Sequence, residues 1–466
     1  MIEITPILDN KSNKPLYIQL TDYIKKEIIA GRIPSNEKLP SKRKLSSYLG
    51  VSVNTVQTAY DQLCAEGYVE SKQRQGLFVS ILEDDLFSNP FTCEINTQRN
   101  KESPNVKIDF NSGKVDLKHF PYNIWKKISI RSLNETEGEL FYTGDPQGEL
   151  ELRMAIAKYL FESRGVKCSP DQIVIGAGSQ VLMILLCLLI GKQHTFALEN
   201  PGFHRIRAVL KDQGINIVSI PLNKDGMDVN LLKSSEASIA YVTPSHQFPD
   251  GMVMPITRRM ELLKWAEEND RFIIEDDYDG EYRYKGKPIP SLQGLDNNGK
   301  VVYMGTFSKS LIPSIRISYL VLPTPLLRKY QDHFTIYKQT VSRLHQHTLY
   351  HFMNEGHWQT HLNKMRTLYR RKQSTLMQAI NTYMGSHVKV IGEKSGLHLI
   401  IELDNQMSEE ELVTAALNAG VKVYPFSIYY DGHKQTKGSK ILLGYGGLSE
   451  TEIEEGIQLL KETWRI

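Results

Sequence analysis

"GTFSKSLIPSIRIS", residues 305–318, sets one lysine, Lys309, among hydroxyls and places Arg316 seven positions later. A lysine beside hydroxyls and an arginine fits a phosphate-bearing ligand, but not through a P-loop. That motif needs a glycine directly before the lysine and another five residues before it. Here those positions hold Ser308 and Tyr303. The phosphate has to belong to another kind of ligand, and the neighbouring strands narrow the choice.

From Ile108 onward, short apolar runs alternate with amphipathic ones: "QIVIGAG" (172–178), "HTFALENPG" (194–202), "ASIAYVTPS" (237–245), "RFIIEDDYD" (271–279) and "KVVYMGTFS" (300–308). This alternation predicts an α/β domain with a large, mostly parallel sheet and its functional loops at the strand ends. One strand end carries Asp276 and Tyr278, the next Lys309, and "GAGSQ" (176–180) offers Ser179 and Gln180 at a helix start, where anions are favoured. A Rossmann reading of that loop fails, because Val181 stands where the third glycine belongs. Each residue has a plainer reading alone: Asp276 as a strand-end cap, Lys309 as a solvated lysine, Phe203 as core. Together on successive strand ends, a carboxylate, a phenol, a lysine and a phosphate cradle meet the needs of a pyridoxal 5'-phosphate site. The lysine forms the imine and the aspartate keeps the ring nitrogen protonated.

The chain has 466 residues, long enough for two or three domains, with 41% hydrophobic and 23% charged content typical of soluble proteins. "VLMILLCLLIG" (181–191) is about half the length that spans a bilayer, so a buried helix is expected rather than a membrane anchor. The start carries no signal-peptide pattern, and the 4 cysteines have neither metal-ligand nor disulfide-framework spacing, which suits a cytoplasmic protein without a metal site. A net charge of +3 decides nothing about partners, so any basic surface must be local.

Such a surface is expected in residues 1–80. "PLYIQLTDYIKKEIIAG" (15–31) puts Leu16, Leu20, Ile24, Ile28 and Ile29 on one helical face. "LPSKRKLSSYLG" (39–50) predicts a second helix capped by Ser41, with Leu45, Tyr48 and Leu49 buried and Gly50 as the stop. "SVNTVQTAYDQLCAEG" (52–67) predicts a third, capped by Ser52, and "YVESKQRQGLFVS" (68–80) a strand–turn–strand wing. This is a winged helix-turn-helix, a fold that binds double-stranded DNA. Lys42, Arg43 and Lys44 suit phosphate contacts; Ser52, Asn54, Thr55 and Gln57 are candidates for base edges; Arg74 in the wing turn suits a groove or phosphate contact. Residues 81–107 carry little apolar periodicity and are expected to be a linker of roughly 25 residues, leaving 108–466 to the second domain.

"TPSHQFPDG" (243–251), "EDDYDGEY" (275–282) and "TFSKSLIPSIR" (306–316) make residues 108–466 resemble a fold type I aminotransferase, and residues 14–80 resemble a GntR-type winged helix. Their fusion in this order is similar to the MocR/GabR family of bacterial transcriptional regulators, and the aminotransferase resemblance implies a smaller C-terminal α+β subdomain after the large sheet. By that resemblance Lys309 carries the cofactor, Asp276 pairs with the pyridine nitrogen, Tyr278 donates to the ring hydroxyl and Phe203 stacks on the ring. Thr306, Ser308, Arg316, Ser179 and Gln180 hold the phosphate, with Tyr142 reaching the phosphate of the neighbouring subunit of a homodimer. Phe248 stands where catalytic aminotransferases keep an asparagine, so His246 or Gln247 is the expected substitute. Gly447 is read as standing where they keep a carboxylate-binding arginine, and Val53 and Gln57 where the winged helices often carry arginine. Arg205 matches the other acid-binding arginine of the GABA sensors and is the candidate for a small-molecule effector; Arg207 is expected at the surface.

The resulting expectation is a DNA-binding regulator whose effector is pyridoxal phosphate itself, in control of vitamin B6 synthesis. The alternatives are a sensor of GABA or another amino compound, and an active aminotransferase with a regulatory module. Without the arginine, enzymatic turnover is expected to amount at most to residual half-reactions.

Overall fold

The computed structural model describes residues 4–6, 8, 9, 12, 14–81, 106–135, 138–284, 289–432 and 438–466. The expected linker, apart from its ends, lies outside the described residues. The chain divides into two compact units, Met1–Lys101 and Glu102–Ile466.

In the first unit the helix Leu16–Ile29 buries Leu20, Ile24 and Ile28. The apolar stripe is narrower than predicted: Leu16 is half-buried and Ile29 is exposed. Ser41 caps the second helix, Lys42–Leu49, by accepting the amide of Lys44, and Gly50 closes it in the left-handed conformation at φ 65°. Tyr48, predicted to be buried, is 62% exposed. In so short a helix Leu45 and Ser46 are buried and Leu49 packs half-buried against the core, which leaves Tyr48 outside. The third helix, Val53–Ala65, packs Val56, Ala59, Tyr60 and Leu63 against the first, and the Tyr60 hydroxyl donates to the carbonyl of Pro40 at 3.0 Å. Strands Val69–Lys72 and Gly76–Val79 pair antiparallel to form the wing. Arg74 takes its turn at φ 63°.

The second unit is built on an eight-stranded sheet with spatial order Ile173–Gly176, Ser318–Val321, Val301–Thr306, Phe272–Asp277, Ile239–Val242, Phe196–Asn200, Ile217–Asn223 and Gly226–Met227. Five consecutive strands, from Val301–Thr306 to Ile217–Asn223, are parallel, and antiparallel pairings flank them. The parallel strands are nearly continuous apolar runs because helices cover both faces. The apolar run 181–191 falls in one of them, the helix Ser179–Ile190, which buries Leu182, Met183, Leu186, Cys187, Leu189 and Ile190. Among the described residues no helix is long and apolar enough to cross a membrane.

Parallel pairing puts the C-terminal ends of these strands on one side. Met304 lies opposite Asp276, and Tyr241 opposite Ile274. The loops after them therefore bring Phe203, Ser245–Phe248, Tyr278 and Lys309 to one edge of the sheet. A C-terminal subdomain lies beside that edge. Its four-stranded antiparallel sheet (Val388–Ile391, His398–Leu403, Ser439–Gly444, Tyr424–Pro425) packs with the helix Glu450–Trp464 around its own core. Leu442 turns to the other face of that sheet, against Phe248 and Tyr278.

Candidate functional site

A cavity of about 430 Å³ opens where the strand ends meet the C-terminal subdomain. Lys309, Asp276, Tyr278, Phe203, Ser179, Gln180, Thr306, Ser308, Arg316 and Arg205 all line it. The sequence scattered these residues over more than a hundred positions; the parallel register gathers them.

The Lys309 amine donates to the Ser112 carbonyl. Loss of hydration pushes its pKa down to about 8; Arg205 pushes the same way, while Asp279 opposes. Asp276 is buried, and its Oδ2 accepts from the Tyr241 hydroxyl while Oδ1 has no partner. Burial raises its carboxyl to about 7, Tyr241 opposing and the acids Asp277, Asp279 and Glu275 adding. The Tyr278 phenol is held well above its ordinary value by burial and by the acids around it, Asp279 first. Phe203 stacks on Phe248 with centroids 4.1 Å apart and planes at 4°, so one face of its ring is already covered.

At the other end, Gly178 precedes the helix Ser179–Ile190 at φ 94°, and a Cβ there would stand 2.1 Å from the Arg316 guanidinium. Only glycine lets that guanidinium approach the turn, where it donates to the Ala177 carbonyl at 3.1 Å. The Thr306 hydroxyl accepts from the Ser308 amide at 3.2 Å and from Ser318 Oγ at 2.8 Å. Ser308 Oγ has no partner. Two orphaned oxygens, one a carboxylate beside the lysine and one a hydroxyl beside an arginine and a helix start, fit a ligand carrying a cationic nitrogen at one end and an anion at the other.

Several expectations need correction. His246 does not line this cavity: it lies behind Tyr278, its Nδ1 2.8 Å from the phenol oxygen and 2.9 Å from Asp279 Oδ1. Gln247 is spent on Glu199, Pro201 and Phe248. Tyr142 is not among these corrections: expected to serve the neighbouring subunit, it is 77% exposed and outside the cavity of its own chain. Arg207 is buried rather than at the surface, with Asp431 the carboxylate facing it at 4.0 Å. Gly447 lines a different cavity, and a Cβ on it would stand 2.7 Å from Lys114 Cβ. Close packing explains that glycine, which says nothing about the Lys309 cavity. What the C-terminal subdomain does present to that cavity is Leu397, His398, Tyr424, Ile428 and Tyr429, of which His398 and Tyr429 meet the Phe248 ring edge-on. Tyr241, the buried partner of Asp276, was missed; it lies within a plain apolar strand run and carries no local signal. Asp279 was in view, in "EDDYDGEY", but was assigned nothing.

In the winged helix, Arg43, Lys44 and Arg74 are exposed and Lys42 is half-buried. Three of the four base-edge candidates have other side-chain bonds. Ser52 Oγ accepts from the Thr55 amide at 3.0 Å and lies 2.9 Å from the Thr55 hydroxyl, so both cap the helix. The Gln57 amide donates to the Asp61 carboxylate at 2.6 Å. Asn54 remains exposed, beside Val53, an exposed apolar side chain in the first turn.

Residues 105–458 match the model of aminotransferase class I and II, and residues 16–79 that of the bacterial regulatory proteins of the gntR family. The chain is 45% identical to the HTH-type transcriptional regulator YdeL of Bacillus subtilis, over 100% of both chains. It is 32% identical to the probable rhizopine catabolism regulatory protein MocR of Rhizobium meliloti, covering 98% of this chain and 95% of that one. With the HTH-type pyridoxine biosynthesis transcriptional regulator PdxR of Corynebacterium glutamicum it shares 30% identity over 93% and 92% of the two chains. Among solved structures it is similar to the multiple substrate aminotransferase of Thermococcus profundus (TM-score 0.69, 26% identity, 83% of this chain and 98% of that one). With a gntR-type winged helix ahead of a class I and II aminotransferase domain over its whole length, the chain belongs to the MocR/GabR family of DNA-binding transcriptional regulators.

Proposed function

We propose that the protein is a homodimeric, cytoplasmic regulator that binds pyridoxal 5'-phosphate in the Lys309 cavity and changes its hold on operator DNA in response, with the cofactor as effector. The observation that carries this reading is the pair of unpartnered oxygens, Asp276 Oδ1 and Ser308 Oγ, facing one cavity with Lys309 and Arg316. Pyridoxal phosphate supplies an aldehyde for an amine, a basic ring nitrogen and a dianion. Lys309, its pKa pushed down to about 8, offers a far larger share of neutral amine near neutral pH than a solvated lysine. Asp276, at about 7 while alone, would ionise fully on meeting a protonated ring nitrogen. Arg316, Ser308, Thr306, Ser179 and Gln180 gather donors at the phosphate end. Tyr142 and other exposed apolar side chains, among them Phe141, Met154 and Phe161, support a second copy as partner, with Tyr142 completing the neighbour's site.

The residues with which the C-terminal subdomain lines the cavity, Leu397, His398, Tyr424, Ile428 and Tyr429, favour a sensor over an enzyme, since they offer an α-carboxylate no cation. Arg205, exposed within the cavity, favours the second reading, an acidic amino compound as effector. Fluorescence anisotropy of the full chain on its own upstream DNA, with and without pyridoxal phosphate, separates these. The expected result is a cofactor-dependent change of affinity in the wild type that Lys309→Ala abolishes. An unchanged affinity would overturn the effector assignment, and turnover of a common amino acid at about 1 s⁻¹ or faster would restore the aminotransferase reading.

A further inference from the structure

His246 is almost fully enclosed. A Cβ on Gly396, at φ 79°, would stand 2.0 Å from its Cε1, and one on Gly251 3.2 Å from its Nε2. The ring of His398 lies 5.3 Å away. The imidazole therefore has one position, with Nδ1 facing three oxygens: the Tyr278 hydroxyl at 2.8 Å and the two of Asp279 at 2.9 and 3.0 Å. A carboxylate only accepts, so the Nδ1 proton must point between Asp279 and Tyr278. Nε2 has no partner among the described residues, and the residue borders a cavity of about 10 Å³ that Ser395 and Arg283 also line.

We infer that His246 is a positioning residue: with Nδ1–H donated toward Asp279 and Tyr278, it denies the Tyr278 hydroxyl an acceptor behind it and turns that O–H into the Lys309 cavity. An imidazole with a bare Nδ1 would instead draw the phenol proton backwards and leave the cavity facing a lone pair. Ser395 and Gly396 come from the C-terminal subdomain, so the device also ties that subdomain to the phenol. This rests on the pyridoxal phosphate reading for its effect on a ligand, but not for the proton on His246.

Two measurements test it. Two-bond ¹H–¹⁵N correlation on histidine-labelled full chain without cofactor, with the His246 signals assigned by their loss in His246→Asn, is expected to show Nδ1 protonated; a bare Nδ1 overturns the inference whatever the cavity binds. In cofactor-loaded protein, the second readout is the pH midpoint of the visible absorption change. A phenol donating to the ring oxygen stabilises the more negative, deprotonated form, so losing that donor raises the midpoint. Tyr278→Phe and His246→Ala are both expected to raise it, by about one unit. His246→Asn, whose amide nitrogen replaces Nδ1–H, is expected to stay near the wild type. A midpoint that rises in Tyr278→Phe but not in His246→Ala overturns the inference and leaves the cofactor reading standing. A midpoint unmoved by Tyr278→Phe removes the cofactor role of Tyr278, and with it the ligand half of the inference.

Discussion

Replacing Arg205 by glutamine is expected to raise the pH at which Lys309 becomes reactive. The Lys309 amine sits near 8 instead of 10.5, chiefly because the cavity strips it of water; Arg205 lowers it further and Asp279 raises it. At pH 7 about 10% of such an amine is neutral, against about 0.03% at the ordinary value, a gain of roughly 300-fold. Arg205 is exposed, so water screens its share, and the upward shift on its removal should be under about one unit and shrink as salt is added. The assay is borohydride trapping of pyridoxal on Lys309, read by peptide mass between pH 6 and 11; pyridoxal lacks the phosphate and keeps ligand charge out of the comparison. Trapping should rise through about pH 8 in the wild type and through a higher pH in Arg205→Gln. A wild-type midpoint at 10 or above would refute the desolvation argument, and a downward shift in the variant would refute the sign assigned to Arg205.

Other outcomes follow from the same geometry. Arg43→Ala should lower the salt slope of DNA binding by about 0.9 per subunit, the loss of one phosphate contact, at every sequence tested. Ser52→Ala should remove the cap of the third helix and cost about 1 kcal/mol in thermal or denaturant unfolding of the winged-helix unit, with little change in sequence choice, whereas Asn54→Ala should relax sequence choice at unchanged stability. Gly396→Ala should destabilise the second unit by about 1–3 kcal/mol, because its methyl would occupy the place of the His246 ring. Mixed dimers of Tyr142→Ala and Lys309→Ala subunits should each contain one site with both defects and one with neither; cofactor retention by the mixture above that of either parent would support the shared site, and retention no better than the parents would refute it.

What the sequence made legible was whatever local chemistry enforces. Ser41, Ser52 and Gly50 announced helix ends because capping is decided within a few residues. The parallel sheet announced itself through buried apolar runs, and Lys309, Asp276 and Tyr278 through their place at strand ends. Long-range choices were not legible. Tyr48 read as buried because a three-residue spacing matched a helical face, yet an eight-residue helix has only one turn's worth of core to offer. Arg207 read as surface, but the loop carrying Asp431 lies over it. His246 read as a ligand contact because it flanks a site loop; the close approaches of Gly251 and Gly396 instead hold it at the back of Tyr278.

Gly447 illustrates how a motif argument and a structural one can reach the same place for different reasons. Read from sequence, the glycine seemed to vacate an anchor for the α-carboxylate, and so to favour sensing over transamination. In the fold that glycine packs against Lys114 in another cavity and has no view of Lys309. What the C-terminal subdomain does bring to the Lys309 cavity is Leu397, His398, Tyr424, Ile428 and Tyr429, and burial holds the His398 imidazole down at about 3 and so neutral. An α-amino acid bound to a cofactor on Lys309 would thus meet no cation on this side, and a buried carboxylate left without a charged partner is costly. Arg205 and Arg316 are the exposed cations lining the cavity, Arg316 at the turn before the helix Ser179–Ile190. Ile428→Arg, at a lining position that is already 43% exposed, is therefore the substitution that should move the protein toward an enzyme: a gain of amino-acid affinity, about tenfold to a hundredfold for one charge-assisted pair, measured by the spectral response of the loaded protein. No gain in a folded, cofactor-binding variant would mean that the carboxylate lies elsewhere, and the argument from this wall would fall with it.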